Sequence, residues 1–128
     1  MNLMTTFRSF AILLLAAACS TVSQGQDAGN AGTQKTIEIT AKRYSFSPEE
    51  ITVVKGQPVT IVLKSTDVTH GLRVKDLDFN VESKPNHPES ATLTPTKTGE
   101  FKGSCSHFCG MGHGSMKFKV KVVDAPAQ

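Results

Sequence analysis

Tryptophan is absent from this 128-residue chain, tyrosine occurs once and cysteine three times. Three cysteines do not make the even set of staples on which a disulfide framework depends. No apolar run approaches the roughly 20 residues that carry a helix across a bilayer, so a permanent transmembrane helix is not expected. The 14 Lys and Arg stand against 11 Asp and Glu, a formal balance of +3, without gathering into a block of one sign. That distribution argues against a nucleic-acid partner. No Ser-His-Asp or paired-carboxylate constellation stands out, which leaves hydrolytic chemistry without support. No internal repeat is visible.

What is present begins with an export-like leader. Arg8 is followed by "SFAILLLAAA" and then Cys19, a positive region, a short apolar region and small residues in the order of a signal peptide. Residues 1–18 are read as that signal. "AAAC" resembles the lipobox of bacterial lipoproteins, although Ala16 stands where that motif prefers Leu. Ordinary cleavage after a small residue such as Ala18 is the rival reading. Lipidation of Cys19 is preferred, because an exposed free thiol in an oxidising compartment needs a reason. A bacterial envelope location follows, periplasmic or on the outer face of a membrane.

Residues 19–34 carry almost nothing to bury and read as a flexible linker. A coil of the length of Ser20 to Gln34 has a root-mean-square reach of roughly 20 Å.

From Lys35 the pattern turns to period two. Ile37, Ile39 and Ala41 share one face of "TIEITAKR", and Phe118, Val120 and Val122 share one face of "MKFKVKVV". "ITVVKG" and "PVTIVLKS" follow the same rule less strictly. Shorter strands are expected at His70–Lys75, Phe79–Glu82, Ala91–Thr94 and Gly99–Ser104, between turn signals at 47–50, 55–58, 84–90 and 95–100. Seven or eight short strands without an amphipathic helix predict an all-β fold, an antiparallel Greek-key β-sandwich or barrel over residues 35–124, with a tail at 125–128.

The chemistry is concentrated in "CSHFCGMGHGSM", where Cys105, Cys109, His113 and Met116 follow one another at intervals of four, four and three residues. Thiolate, imidazole and thioether are the soft donors that copper takes. Glycines give the loop the freedom to curl these side chains onto one point. A Cys105–Cys109 disulfide is the bland alternative, but it closes too short a loop to restrict the unfolded chain much and leaves His113 and Met116 unexplained. Zinc is the other, and zinc rarely recruits Met. A further imidazole is needed, and His70 in "STDVTHGLRV" is placed at a strand end to supply it. His87, between two prolines, reads as a surface-loop residue. Met111 reads as apolar cover that limits water near the site.

"KGQPVTIVLKSTDVTHGLRV", "GEFKGSC" and "CSHFCGMGHGSM" together resemble the cupredoxin domain of cytochrome c oxidase subunit II, which carries the binuclear CuA centre. The resemblance covers about Ile37 to Val123; nitrous oxide reductase has a similarly spaced loop. It implies two copper ions bridged by Cys105 and Cys109, with His70 and Met116 completing one. His113 and the backbone carbonyl of His107 would complete the other. A single-ion site built from His70, one Cys, His113 and Met116 stays open as the competitor.

The function expected is that of a free-standing electron carrier rather than an enzyme, a monomer serving redox partners such as a c-type cytochrome or a terminal oxidase. Copper delivery or storage, and a divergent accessory of an oxidase, are the alternatives. Three departures stand out. Where an oxidase subunit II normally enters with a transmembrane hairpin, this chain has one signal-like segment and a polar linker. His107 occupies a position where the oxidase loop usually has Glu, and its side chain is read first as an exposed loop residue, then as a hydrogen-bonding support, then as an extra ligand. Tyr44 and Phe46 occupy the stretch where the family carries a Trp-rich electron-entry patch.

Overall fold

The computed structural model describes residues 34–127. The leader and nearly all of the linker, with Cys19, lie outside the described residues. Nine strands form two facing sheets: β1 (Lys35–Lys42), β2 (Ser45–Ser47), β3 (Glu50–Val54), β4 (Val59–Ser65), β5 (His70–Val74), β6 (Phe79–Ser83), β7 (Glu89–Leu93), β8 (Gly99–Cys105) and β9 (Lys117–Val123). One sheet has the order β2-β1-β4-β7 and the other β3-β9-β8-β5-β6. Among the described residues no helix is long and apolar enough to cross a membrane.

The alternation read in the sequence is what closes the sandwich. In β4, Val59, Ile61 and Leu63 point inward and are buried, while Thr60, Val62 and Lys64 are half-exposed. In β9, Phe118, Val120 and Val122 are buried between outward lysines. These residues meet Ile39, Ala41, Leu72, Val74 and Phe101 in one continuous core. Burying each such side chain contributes about 1.5–3 kcal/mol against leaving it in water. Phe46 and Phe118 join the sheets edge to face, with ring centroids 5.7 Å apart, an arrangement suited to the opposite charges of ring face and edge.

Two pairings depart from the antiparallel expectation. β1 runs parallel to β4, with Lys35 beside Val59 and Ala41 beside Ser65, and β3 runs parallel to β9. The sheets are therefore mixed. Strand β2 was also not expected: it adds three residues to the edge of β1 in a stretch dominated by turn signals.

The sandwich has two distinct ends. At the lower end β1 begins and β9 finishes. There Lys55 N donates to Val123 O at 2.8 Å, prolonging the β3–β9 pairing, and Gly56 N donates to Pro95 O at 2.7 Å, tying the end of β3 to the chain just past β7 in the other sheet. At the upper end are the last residues of β1, β4 and β8 and the first of β5. A strand as long as β1 separates the ends by about 20 Å.

Candidate metal centre

β8 ends on Cys105 and β5 begins on His70, so these two side chains emerge at the upper end of neighbouring strands. Period-two alternation fixes their direction. Phe101, Gly103 and Cys105 face the interior, as do Leu72 and Val74. The loop that follows β8 folds back through a 3-10 turn at His113–Ser115 and re-enters as β9 just after Met116. His70 and Met116 are fully buried, and Cys105 and Cys109 nearly so.

The donor atoms converge. Cys105 Sγ lies 3.8 Å from Cys109 Sγ and 3.8 Å from His70 Nδ1. Cys109 Sγ lies 3.8 Å from His113 Nδ1 and 3.4 Å from Met116 Sδ. The backbone carbonyl of His107 accepts from Cys105 Sγ at 3.1 Å. The donor atoms of His70, Cys105 and Cys109 all fall within 4.8 Å of one another. Both cysteines are free thiols, so the short-loop disulfide is not formed. Thus five side chains and one carbonyl named from the sequence are brought together here.

The sulfur between them is not comfortable as a charge. Burial, reinforced by the hydrogen bond and charge of neighbouring Cys105, pushes the Cys109 thiol well above its ordinary value. A buried thiolate pair needs a cation to form at all. The donor set is soft and buried and includes no lysine or arginine, which fits a soft metal ion rather than a hydrated hard one.

His70 is oriented from outside. Its Nε2 lies 2.7 Å from Asp67 Oδ1, which leaves Nδ1 facing the cysteines. Asp67 accepts in turn from Arg43 N at 2.8 Å and from Val68 N at 2.7 Å. The Arg43 guanidinium crosses to the loop, donating from Nε to Cys109 O at 2.9 Å. One residue at the end of β1 therefore ties the support of His70 to the backbone of Cys109. Arg43 was not singled out from the sequence, and Asp67 stood there only as the first residue of the Asp-Val-x-His run, without a role. Asp67 is foreshadowed by its place three residues before His70, whereas Arg43 is 66 residues from its partner and has no local signal.

One sequence reading changes, that of Met111 as apolar cover. Met111 is 96% exposed and covers nothing; the loop points it away from the sulfurs. Tyr44 supplies part of the cover instead, since its ring lies against Gly110 and Gly112, where any Cβ would collide with it. Phe46 belongs to the core and offers no surface. His107 turns its ring outward to Glu82, Nδ1 to Oε1 at 3.2 Å, so only its carbonyl points at the centre. His87 is exposed, as expected of a surface-loop residue.

The model of the cupredoxin-like domain matches residues 9–122. The chain belongs to the cupredoxin-like family. Among relatives of this cupredoxin-like chain is cytochrome c oxidase subunit 2 of Thermus thermophilus, 31% identical over 83 residues, which are 65% of this chain and 62% of that protein. Nitrous-oxide reductase of Ralstonia nicotianae is 33% identical over 95 residues, 71% of this chain but 15% of the reductase. The cupredoxin-like chain thus spans less than two thirds of either relative. Its fold also matches the periplasmic domain of cytochrome oxidase subunit II of Bradyrhizobium japonicum, with a TM-score of 0.64 at 21% identity over 70% of this chain and 84% of that one.

Proposed function

We propose that this cupredoxin-like chain is a copper-binding electron carrier of the bacterial envelope, with two coppers held by the cluster just described. The observation that carries the reading is the shared placement of two buried sulfurs 3.8 Å apart, each with its own imidazole. Cys105 and Cys109 would bridge both ions. His70 and Met116 would complete one, and His113 with the carbonyl of His107 the other. A single-ion site would leave one buried thiol beside the metal without a role.

Bound copper supplies the one-electron redox couple; the protein supplies the rest. Strand ends hold Cys105 and His70, Asp67 fixes the nitrogen that His70 presents, and Arg43 fixes the backbone of Cys109. Ligands held this firmly move little when charge changes, and their burial keeps water away and the local dielectric low. Phe108 leans against His113 from outside, with ring centroids 5.8 Å apart, and is 70% exposed. It gives a partner an apolar approach to that ligand. Suitable partners are a c-type cytochrome or a terminal oxidase. The burial of four ligand side chains favours a retained centre over one that loads and releases copper for delivery.

Copper titration of the full chain with electron paramagnetic resonance tests the reading. Two coppers per chain and hyperfine structure from an electron shared by two nuclei are expected. One copper with single-nucleus hyperfine structure would overturn the binuclear assignment.

A further inference from the structure

We infer that Asn80 and Glu82, outside the ligand cluster on β6, are positioning residues that hold the carbonyl of His107 against Cys105. The inference rests on the binuclear reading and deepens it, since the carbonyl is the one donor supplied by backbone alone.

Ser106 and His107 lie in the loop just past β8 and belong to no strand. One backbone bond that continues the β5–β8 register and two side-chain contacts hold them. Ser106 N donates to Gly71 O at 3.1 Å. Ser106 Oγ donates to Asn80 Oδ1 at 2.8 Å. His107 Nδ1 lies 3.2 Å from Glu82 Oε1. Asn80 and Glu82 alternate with buried Phe79, Val81 and Ser83, so both leave the sheet on its outer face. Two consecutive loop residues are thereby caught by two outward positions of one strand.

Gly71 makes the crossing possible. It is opposite Glu82 in the β5–β6 register, and a Cβ at Gly71 would run into Ser106 Oγ. The bare backbone there lets the loop lie across β5 and reach β6. With its neighbours pinned on the outer face, the His107 carbonyl turns inward to Cys105 Sγ at 3.1 Å. A carbonyl is a weak donor, and the placement of weak donors tunes the potential of a thiolate-bound copper. β6 would therefore set the electronic balance of the centre without touching it.

The test uses the full chain with Asn80→Ala, Glu82→Ala, the double variant and Glu82→Gln. In the metal-free chain, the Ser106 amide of the double variant should exchange its hydrogen faster than that of the parent. In the copper-loaded chain, the double variant should lose copper to a chelator about tenfold faster, the scale for residues that orient ligands. Its reduction potential and hyperfine couplings should shift, while the thermal midpoint of the metal-free protein stays that of the parent. Glu82→Gln keeps an acceptor for the His107 ring and should restore most of the parent behaviour.

A double variant matching the parent in potential, hyperfine pattern and chelator resistance would overturn the inference while leaving two coppers per chain intact. A Glu82→Gln shift as large as that of Glu82→Ala would also overturn it, because charge rather than position would then be responsible. A parent chain that binds one copper fails the functional reading itself, and removes the carbonyl's role with it.

Discussion

His70 Nε2 lies 2.7 Å from Asp67 Oδ1, and this contact decides which nitrogen the imidazole shows to the cysteines. Asp67→Ala would free the ring to rotate and to exchange its tautomer. Copper affinity, measured by competition with a chelator, is expected to fall about 10- to 100-fold. Circular dichroism of the metal-free protein should be unchanged, since Asp67 lies at the surface rather than in the core.

The same carboxylate gives the metal-free protein an acid limb. Burial would raise its pKa, but hydrogen bonds from Arg43 N, His70 and Val68 N outweigh that and bring it from 3.8 to about 2. A carboxyl lower in the folded than in the unfolded chain stabilises the fold fully above its unfolded value, and that contribution fades as pH falls through the folded one. The urea midpoint of the metal-free protein should therefore drop between about pH 4 and pH 2. Asp67→Asn should flatten part of that decline.

Replacing one bridging sulfur separates folding from loading. Cys109→Ser exchanges one sulfur for a smaller, more polar oxygen in the loop outside the strands, so the sandwich should remain folded by circular dichroism. The shared-electron resonance signal should vanish, and copper stoichiometry should fall to one or none. Electron exchange with a c-type cytochrome at the parent rate in this variant would contradict the proposed role of the centre.

Tyr44 and Gly110 form a tight contact that can be read by a double-mutant cycle. Gly110 has φ +135°, and a Cβ there would strike the Tyr44 ring. Gly110→Ala is expected to destabilise the metal-free protein by about 1–3 kcal/mol, the scale of a side chain forced into a disfavoured backbone region. Pairing it with Tyr44→Ala should recover the collision part of that cost and leave the backbone part. Additive losses would mean that the ring moves aside freely.

Membrane attachment is expected to depend on the sulfur of Cys19, the first residue after the leader. Cys19→Ala should shift the protein from the membrane fraction to the soluble fraction of the envelope, scored by immunoblot. Unchanged fractionation would overturn the lipobox reading.

The strands that form the sandwich were largely legible, because burial on one face imprints period-two alternation on sequences such as 36–42 and 117–122. The parallel partnership of β1 with β4 was not, since alternation says which face is buried and nothing about the direction of a neighbour. β2 escaped because three residues carry too short a pattern to stand out beside Pro48 and its turn. At the site, spacing alone located Cys105, Cys109, His113 and Met116, which share one loop. Arg43, Asn80 and Glu82 were invisible to spacing: each reaches the loop from a strand distant in sequence, through geometry that exists only once the sheets have packed. Met111 was misjudged because a thioether in a glycine-rich loop looks apolar whichever way it points.

Lys35 and Val123 both lie at the end of the sandwich away from Cys105, about a strand's length off. Whatever is attached through either terminus, be it an acyl chain, a longer polypeptide or an engineered fusion, therefore joins the sandwich at the end opposite the cysteine loop. The unit can be remounted on a different base while the cysteine loop stays at the opposite end.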